Sequence, residues 1–349
     1  MIEIDGSIHS GSGTLLRYAV ALSTLIGEPL HMIRIRSRRQ QPGLRPQHLR
    51  AVQACKSFSE GEVEGAEAGS TEITYFPGKS LPGGEFHWDI GTAGSTTMLS
   101  FTLIPLALFA RRPCRFSLVG GLFQDFAPSA FHMEHVLLPL LRRMGAEVRL
   151  EMVRPGYVPR GQGHLVLEVM PLHRPLVPLM MEEQGRIKEL WGISFASHLE
   201  KEKVAQRMAD ESTRLLQEEG FRVRMDIRNE SNAVQRGAAL FLRAETERGC
   251  LLGADQAGKP GRRSEAIARF VVKCLLEDLR SHAATDRHLS DQLILFGALA
   301  EGTTRYVIPS LTDHIESNLW LVRKMLGAEF ELRGNLLELR GIGFRHHLG

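Results

Sequence analysis

Two histidines near the end of the chain have the surroundings that nucleophilic catalysis requires. His288 precedes a predicted helix that contains Asp291 and Gln292, and His314 opens the next predicted helix. The positive end of a helix favours the neutral form of a histidine, which is the form that can act as a nucleophile. Spacing alone does not choose between them, and an ordinary helix-terminal histidine is the alternative interpretation of each.

A second group of residues suits the binding of phosphate. Residues 29–59 contain seven cations and no carboxylate, so the rest of the chain carries more carboxylates than cations. Six of the seven are arginines, whose planar guanidinium can bind a phosphate through two parallel hydrogen bonds. Arg36, Arg39, Gln47 and His48 crowd around a Pro-Gly turn and a helix start, which predicts a multi-phosphate site. A solvated basic face is the alternative interpretation.

Two glycine-rich stretches resemble phosphate loops to different degrees. Residues 6–13 precede a predicted helix, a geometry that places backbone N–H groups and the positive helix end near a phosphate. Residues 253–260 nearly match the nucleotide-binding P-loop, but Pro260 stands where a hydroxyl would bind Mg²⁺, so no nucleotide loop is expected there. The four cysteines lack zinc-ligand spacing and are expected to be reduced and buried.

The pattern of apolar residues predicts the elements that carry these residues. A unit of helix, strand, helix and two strands occurs three times, and the run 142–148 returns in similar form at 323–330. We therefore predict an α/β (α+β) fold of three βαβαββ-type repeats that form a large catalytic domain, residues 1–184 plus 282–349. A smaller α/β domain, residues 185–281, is expected to be inserted before the third repeat.

Composition excludes several classes of protein. The 349 residues are 43% hydrophobic and 24% charged with a net charge of +3, which is typical of a globular chain and not of a disordered one. The longest apolar run, residues 96–110, is shorter than a membrane span and is interrupted by Pro105. No secretory signal is evident at the N-terminus, so a cytoplasmic protein without a membrane partner is expected.

Several segments together resemble the RNA 3′-terminal phosphate cyclase family, and the resemblance covers most of the chain. The most specific segment is Pro42-Gly43-Leu44-Arg45-Pro46-Gln47-His48-Leu49. Further matches are Asp5-Gly6-Ser7, Leu16-Arg17, Thr92-Ala93-Gly94-Ser95, Gly156-Tyr157, Leu289-Ser290-Asp291-Gln292-Leu293, and Pro309 followed by His314. The resemblance implies the same three-repeat fold with an insert. It also implies a ligase that uses ATP to convert an RNA 3′-terminal phosphate into a 2′,3′-cyclic phosphate.

The resemblance also implies a role for each matched residue. His314 would become adenylated and would pass AMP to the RNA 3′-phosphate. The nucleotide pocket would be lined by Pro128, His288, Leu289, Ser290, Asp291 and Gln292. Phosphates or the RNA end would contact Arg17, Arg36, Arg39, Gln47 and His48. Mg²⁺ or Mn²⁺ would accompany ATP, bound by ligands that the sequence does not identify. The expected partners are RNA 3′ ends, and a homo-oligomer is compatible with the sequence.

The chain departs from the family's pattern at several positions. Ser10 stands where a glutamate near the metal is usual, and Thr14 also departs from that loop. Phe101 replaces a glutamine, Phe131 an aspartate and His288 a tyrosine. A non-catalytic cyclase-like protein that binds or processes RNA is therefore the alternative function. The presence of His314 favours the enzyme, because the non-catalytic branch of the family lacks this histidine.

Overall fold

The computed structural model of the protein describes residues 1–345. Helices and four four-stranded sheets alternate along this part of the chain, which confirms the predicted α/β (α+β) class. None of the helices in it is long and apolar enough to cross a membrane. The four cysteines are free and buried, as predicted.

The first sheet is built from the N-terminal quarter of the chain. Its elements are β1 (Ile2–Asp5), α1 (Gly13–Ile26), β2 (Leu30–Ile33), α2 (Pro46–Ser59), β3 (Glu62–Glu64) and β4 (Ile73–Phe76). The strand order is β1-β2-β4-β3, with β1 and β2 parallel and the other pairs antiparallel. Helix α1 begins where the Ser12 hydroxyl accepts a hydrogen bond from Thr14 N, and it ends at Gly27, whose φ of 72° suits a glycine.

The second sheet repeats this arrangement. Its elements are β5 (Gly84–Asp89), α3 (Thr96–Leu108), β6 (Cys114–Gly120), α4 (Ala130–His132), a π-helical segment (Met133–Leu137), α5 (Leu138–Arg143), β7 (Val148–Arg154) and β8 (Gly163–Val169). The order is β5-β6-β8-β7, again with one parallel pair followed by antiparallel pairs. The apolar pattern of residues 129–144 predicts one continuous helix, whereas the structure has a π-helical segment in the middle of this stretch.

The remaining elements form two further sheets. In chain order they are β9 (Met180–Met181), β10 (Ile187–Ser197), α6 (Val204–Glu218), β11 (Arg224–Glu230), β12 (Gly237–Thr246), β13 (Leu251–Ala257), α7 (Ser264–Arg280), α8 (Leu289–Leu299), β14 (Glu301–Val307), α9 (Asp313–Leu326), β15 (Glu329–Arg333) and β16 (Leu336–Ile342). One sheet has the order β11-β10-β12-β13. The other has the order β15-β16-β14-β9, and its parallel pair is β9 with β14. In the sequence, the short strand β9 precedes residues 185–281, whereas the other three strands of its sheet follow them. The division into two domains stays a prediction.

The helices nearest the centre of the molecule carry the site. Helix α1 is buried along almost its whole length and packs against α2, α3 and α9, while α8 packs against α9. A helix that is apolar on all sides is stable only when it is surrounded by other elements. This packing brings the N-terminal ends of α1, α2, α8 and α9 to one place.

Candidate functional site

A cavity of about 600 Å³ lies where four helices begin. Its lining includes Ser12, Gly13, Thr14 and Arg17 of the α1 start, Gln47 and His48 of α2, His288, Asp291 and Gln292 of α8, and His314 of α9. The first turn of a helix has free N–H groups and a partial positive charge, which favour bound anions. Four such turns around one cavity favour a ligand with several negative charges.

Arg17 is a buried cation that faces this cavity. It is 5% exposed, and its guanidinium donates to Thr14 Oγ1 and approaches Met98 Sδ, both at 3.1 Å. Burial lowers its pKa to about 10, so it stays charged at neutral pH. Within residues 1–345 no carboxylate forms an ion pair with it, although Asp291 is close enough for its charge to raise the pKa of Arg17. A buried charge without a partner is unstable, so the site is suited to a bound anion.

Arg36 and Arg39 extend the positive charge along the cavity wall. Nη1 of Arg36 donates to the carbonyl oxygens of Gln41 and Gly43, at 2.8 and 2.9 Å. Nη2 of Arg39 donates to the carbonyl of Ser10 at 3.0 Å. These bonds fix the direction of each guanidinium and leave its other N–H groups free for a ligand. The structure therefore brings Arg17, Arg36 and Arg39 together, as predicted.

His48 lines this cavity, and its side chain is neutral. Its Nδ1 accepts a hydrogen bond from Arg45 N at 3.2 Å, so the proton of the neutral ring lies on Nε2. Burial, together with Arg17, Arg36 and Arg45, lowers the pKa of His48 to about 2. The ring lies against Gly13, where an added Cβ would overlap Nε2. His48 is thus a hydrogen-bond donor at the start of α1 and contributes no positive charge.

The second repeat unit supplies the opposite wall. Oε1 of Gln47 accepts a hydrogen bond from Ser95 N at 3.1 Å, which ties the start of α2 to that of α3. The carbonyl of Pro128 accepts one from Thr97 Oγ1 at 2.8 Å. Phe101 is 2% exposed and also lines the cavity. This wall therefore presents an apolar ring where the family's pattern has an amide.

His314 lies in the first turn of α9 and is exposed to the cavity. The turn is capped by Thr312, whose hydroxyl accepts a hydrogen bond from Ile315 N at 3.3 Å. Enclosure by the cavity walls, with the positive charges of Arg39 and Arg17, lowers the pKa of His314 below its ordinary value. The imidazole is therefore neutral at neutral pH and has a lone pair available for attack.

His288 occupies the N-cap of α8, and its ring also faces the cavity. Its backbone N donates to Asp286 Oδ1 at 2.8 Å. Enclosure lowers the pKa of His288 as well, although the nearby Asp286 acts in the opposite direction. The protonation states of the two histidines therefore do not identify the nucleophile, and each remains chemically competent.

Asp291 and Gln292 of α8 also line the cavity. Enclosure raises the pKa of Asp291 to about 7, while its backbone carbonyl accepts a hydrogen bond from Asn318 Nδ2 at 3.0 Å. Oε1 of Gln292 is buried and has no hydrogen-bond partner in the described part of the chain. Buried polar groups are nearly always paired, so an orphan at a cavity wall indicates a ligand that hydrogen-bonds there.

Two predicted pocket residues do not line the cavity. Leu289 and Ser290 are buried on the other side of α8, and Ser290 Oγ hydrogen-bonds to Thr285 Oγ1 at 2.8 Å. Phe131 likewise packs in an aromatic cluster, with its ring centre 4.9 Å from that of Phe123. The sequence did not single out several residues that do line the cavity. These are Tyr18, Met98, Gln124, Asp125, Phe126 and Ala127, and all except Met98 lie within four residues of Arg17 or Pro128 in the sequence.

Ser10 contributes to packing between the first loop and α9. Its Oγ lies 2.8 Å from Ser317 Oγ and 3.1 Å from Ser12 Oγ, which joins the first loop to α9. Across residues 1–345 no group of three or more His, Cys, Asp or Glu side chains is arranged to hold a metal ion. The residues of the cavity therefore do not fit a divalent cation held by the protein itself.

Comparison with known proteins identifies the family. The family model described as RNA 3′-terminal phosphate cyclase matches residues 8–332. The chain is 38% identical to an RNA 3′-terminal phosphate cyclase of Pyrococcus furiosus, over 97% of each chain. It is 34% identical to the protein of the same name from Pyrobaculum neutrophilum, over 98% of this chain and 99% of the relative. The chain therefore belongs to the RNA 3′-terminal phosphate cyclase family.

Proposed function

We propose that the protein uses ATP to convert an RNA 3′-terminal phosphate into a 2′,3′-cyclic phosphate, with His314 as the residue that carries AMP. The observation that carries this proposal is the position of a neutral, accessible His314 beside the buried cation Arg17, which forms no ion pair with a described residue. A nucleophile next to an anion site is the arrangement that attack on a phosphate requires.

In the first step, a ring nitrogen of His314 donates its lone pair to the α-phosphorus of ATP. A P–N bond forms while the bond from that phosphorus to the bridging oxygen breaks, and pyrophosphate leaves with the electron pair. Arg17, Arg36 and Arg39 would stabilise the charge that develops on the phosphate oxygens. The four helix starts would contribute in the same direction.

In the second and third steps, AMP serves to activate the RNA end. An oxygen of the RNA 3′-phosphate attacks the α-phosphorus, a P–O bond forms, and the P–N bond breaks to restore the neutral imidazole of His314. The adjacent 2′-hydroxyl then attacks the RNA phosphorus, its proton passes to water, and AMP leaves. The cyclic phosphate is the product, and the enzyme returns to its starting state.

The other predicted residues would bind and orient the reactants. Asp291 and Gln292 would hydrogen-bond the nucleotide, since Oε1 of Gln292 is otherwise unpaired. His48 would donate its Nε2 proton to a phosphate oxygen at the start of α1. A divalent cation that arrived with ATP would be bound by the triphosphate itself, as Mg²⁺ commonly is, and no step above depends on it.

A product assay tests this proposal. An RNA oligonucleotide with a labelled 3′-phosphate is incubated with the protein and ATP, and then treated with phosphatase. Conversion makes the label resistant to phosphatase, and the proposal predicts that resistance requires ATP and is lost in His314→Ala. Retention of full conversion by His314→Ala would contradict the assigned role. Binding of the RNA without any conversion would favour the non-catalytic alternative.

A further inference from the structure

An aromatic pair lies on the surface beside the cavity, and the mechanism does not use it. The ring centres of His9 and Trp320 are 6.0 Å apart, with their planes tilted by 59°. Trp320 is partly exposed, whereas Trp88 and Trp191 are each only 7% exposed. An exposed tryptophan beside a second ring is a surface on which a nucleic acid base can stack.

The aromatic pair is physically continuous with the candidate active site. His9 precedes Ser10, whose carbonyl accepts a hydrogen bond from the cavity residue Arg39 and whose N–H donates to Ser317 Oγ at 3.1 Å. Trp320 lies six residues beyond His314 on α9, about 9 Å along the helix axis and about 120° around it. At about 3.4 Å per stacked nucleotide, three or more nucleotides are needed to connect the two positions.

The charge around the aromatic pair suits a polyanion. Nζ of Lys324 lies 5.5 Å from the centre of the Trp320 ring. Arg38 is exposed beside Gly11, and no carboxylate within residues 1–345 forms an ion pair with it. Asp313 and Glu316 add two exposed carboxylates to the same helix, so stacking has to supply most of the affinity.

The backbone of His9 has an uncommon conformation that fixes the direction of its side chain. Its φ is 49°, in the left-handed region that residues other than glycine seldom adopt. Such a conformation persists only when the surroundings enforce it, and it is found preferentially at functional sites. Here the hydrogen bonds of Ser10 hold the following residue against α9, which keeps the His9 ring next to Trp320.

We propose that Trp320 and His9, with Lys324 beside them, form a stacking platform for a base upstream of the RNA 3′ end. This inference rests on the proposed function, because it assumes that RNA is the substrate of the adjoining cavity. It assigns the base contact to residues outside the basic segment 29–59, and it predicts that RNA longer than one nucleotide binds more tightly.

The test measures binding of a 3′-phosphorylated oligoribonucleotide and of a 3′-phosphorylated mononucleotide to the full chain. The variants are Trp320→Ala, Trp320→Phe, which keeps an aromatic ring, and Phe270→Ala. Phe270 is a matched control because it is an aromatic residue 46% exposed on α7. Thermal unfolding of each variant verifies that it is folded.

Trp320→Ala is expected to weaken oligonucleotide binding by about 5- to 100-fold, the range typical of one lost stacking contact. Trp320→Phe should lose much less, and the slope of affinity against salt should not change, because no phosphate contact is removed. The advantage of the oligonucleotide over the mononucleotide should shrink by the same factor in Trp320→Ala.

Two results would overturn the platform. One is equal oligonucleotide binding by Trp320→Ala and Phe270→Ala; the other is an equal loss for oligonucleotide and mononucleotide in Trp320→Ala. Either result leaves the proposed cyclase function standing if the unaltered protein binds 3′-phosphorylated RNA. If the unaltered protein binds no such RNA, the proposed function fails and the platform fails with it.

Discussion

The buried charge of Arg17 destabilises the unliganded protein, and the proposed mechanism gives this charge a function. Its guanidinium is buried, charged and without a carboxylate partner in the described part of the chain. Removing such a charge from water is unfavourable, and a bound phosphate would offset that cost. His314 shares this environment, because Arg17 and Arg39 help to keep its imidazole neutral. In the proposed mechanism, the same cation would bind the anion and help to keep the attacking imidazole neutral.

Replacing Arg17 should therefore separate activity from stability. We expect Arg17→Met to raise the ATP concentration needed for adenylation by about 10- to 100-fold, because a hydrogen bond to a charged group contributes about 1.5–3 kcal/mol. The unliganded protein should be no less stable to heat, since an unpaired buried charge is removed. Adenylation kinetics and thermal unfolding measure the two effects. Arg34→Met is the control, because Arg34 is exposed and pairs with Asp5 at 2.6 Å. If Arg17→Met unfolded at a lower temperature than the unaltered protein, the buried charge of Arg17 would not be destabilising.

The sequence identified some of the residues that line the cavity and misplaced others. Arginines around the Pro-Gly turn and histidines at helix starts were visible from spacing, but Arg17 and Pro128 required the resemblance. Leu289 and Ser290 were included because they belong to a matched string. On a helix, residues three and four apart share a face, so His288, Asp291 and Gln292 reach the cavity while the two residues between them do not.

At the scale of elements, Asp286 connects three parts of the chain. Its Oδ2 accepts hydrogen bonds from His132 Nε2 at 3.0 Å and from Gly253 N of β13 at 2.8 Å. Its Oδ1 accepts from the backbone N–H groups of His288 and Leu289, each at 2.8 Å. The carboxylate therefore caps α8, and it fixes α4 and a strand of the 185–281 segment against the start of that helix.

Breaking this connection should destabilise the protein in a pH-dependent way. Asp286→Asn leaves His132 without its anion and should cost about 3–5 kcal/mol of unfolding free energy. Despite burial, the charge of His132 lowers the pKa of Asp286 from 3.8 to about 2. The free energy of unfolding that Asp286 contributes is therefore present above pH 4 and is lost as the pH falls towards 2. Despite burial, the charge of Asp286 raises the pKa of His132 above 6.5. The free energy of unfolding that His132 contributes is therefore lost as the pH rises through the raised pKa.

Urea unfolding of Asp286→Asn and the unaltered protein across a pH series measures this contribution. The difference between the two proteins should be largest between about pH 4 and 6.5, because both partners are then charged in the unaltered protein. Ser264→Ala, a change in a buried side chain at the start of α7, is a control that should not alter the pH dependence. A difference that does not vary with pH would show that the pair is not ionic.

Sequence patterns predicted the repeated elements but not their local exceptions. Alternating apolar runs and the similarity of residues 142–148 to 323–330 indicated repeated units. Three of the four sheets share one strand order, in which the first strand of each sheet is followed by the second, the fourth and the third. The π-helical segment Met133–Leu137 has no sequence signal, because residues 130–141 are mostly apolar and the phase shift of one extra residue therefore leaves no visible break in the pattern. The P-loop-like residues begin inside β13, where Gly253 N donates to Asp286 and binds no phosphate.

At the scale of the whole molecule, charge is concentrated where the substrate would bind. Of the cations in residues 29–59, Arg34 is neutralised by Asp5, whereas Arg39 faces the cavity and forms no ion pair with a described residue. The uneven distribution was visible in the sequence. Which cations remain free was not, because it depends on tertiary contacts such as the one between β1 and the loop after β2.

RNA binding should therefore weaken steeply as salt increases. On a log–log plot, each phosphate neutralised on a single strand contributes a slope of about −0.7. Arg39→Ala should make the slope shallower by about that amount, and Arg34→Ala should leave it unchanged. Binding titrations over a salt series with a 3′-phosphorylated oligoribonucleotide measure both slopes. Equal effects of the two substitutions would mean that the segment acts as a general basic surface.

The central claim is that His314 becomes covalently bound to AMP, and labelled ATP tests it most directly. The protein is incubated with ATP labelled at the α-phosphate, denatured, and analysed for bound label in alkali and in acid. A P–N bond to histidine predicts label that survives alkali and is lost in acid, that is absent from His314→Ala, and that is reduced but present in His288→Ala. Label on His314→Ala but not on His288→Ala would contradict the account and assign the nucleophile to α8.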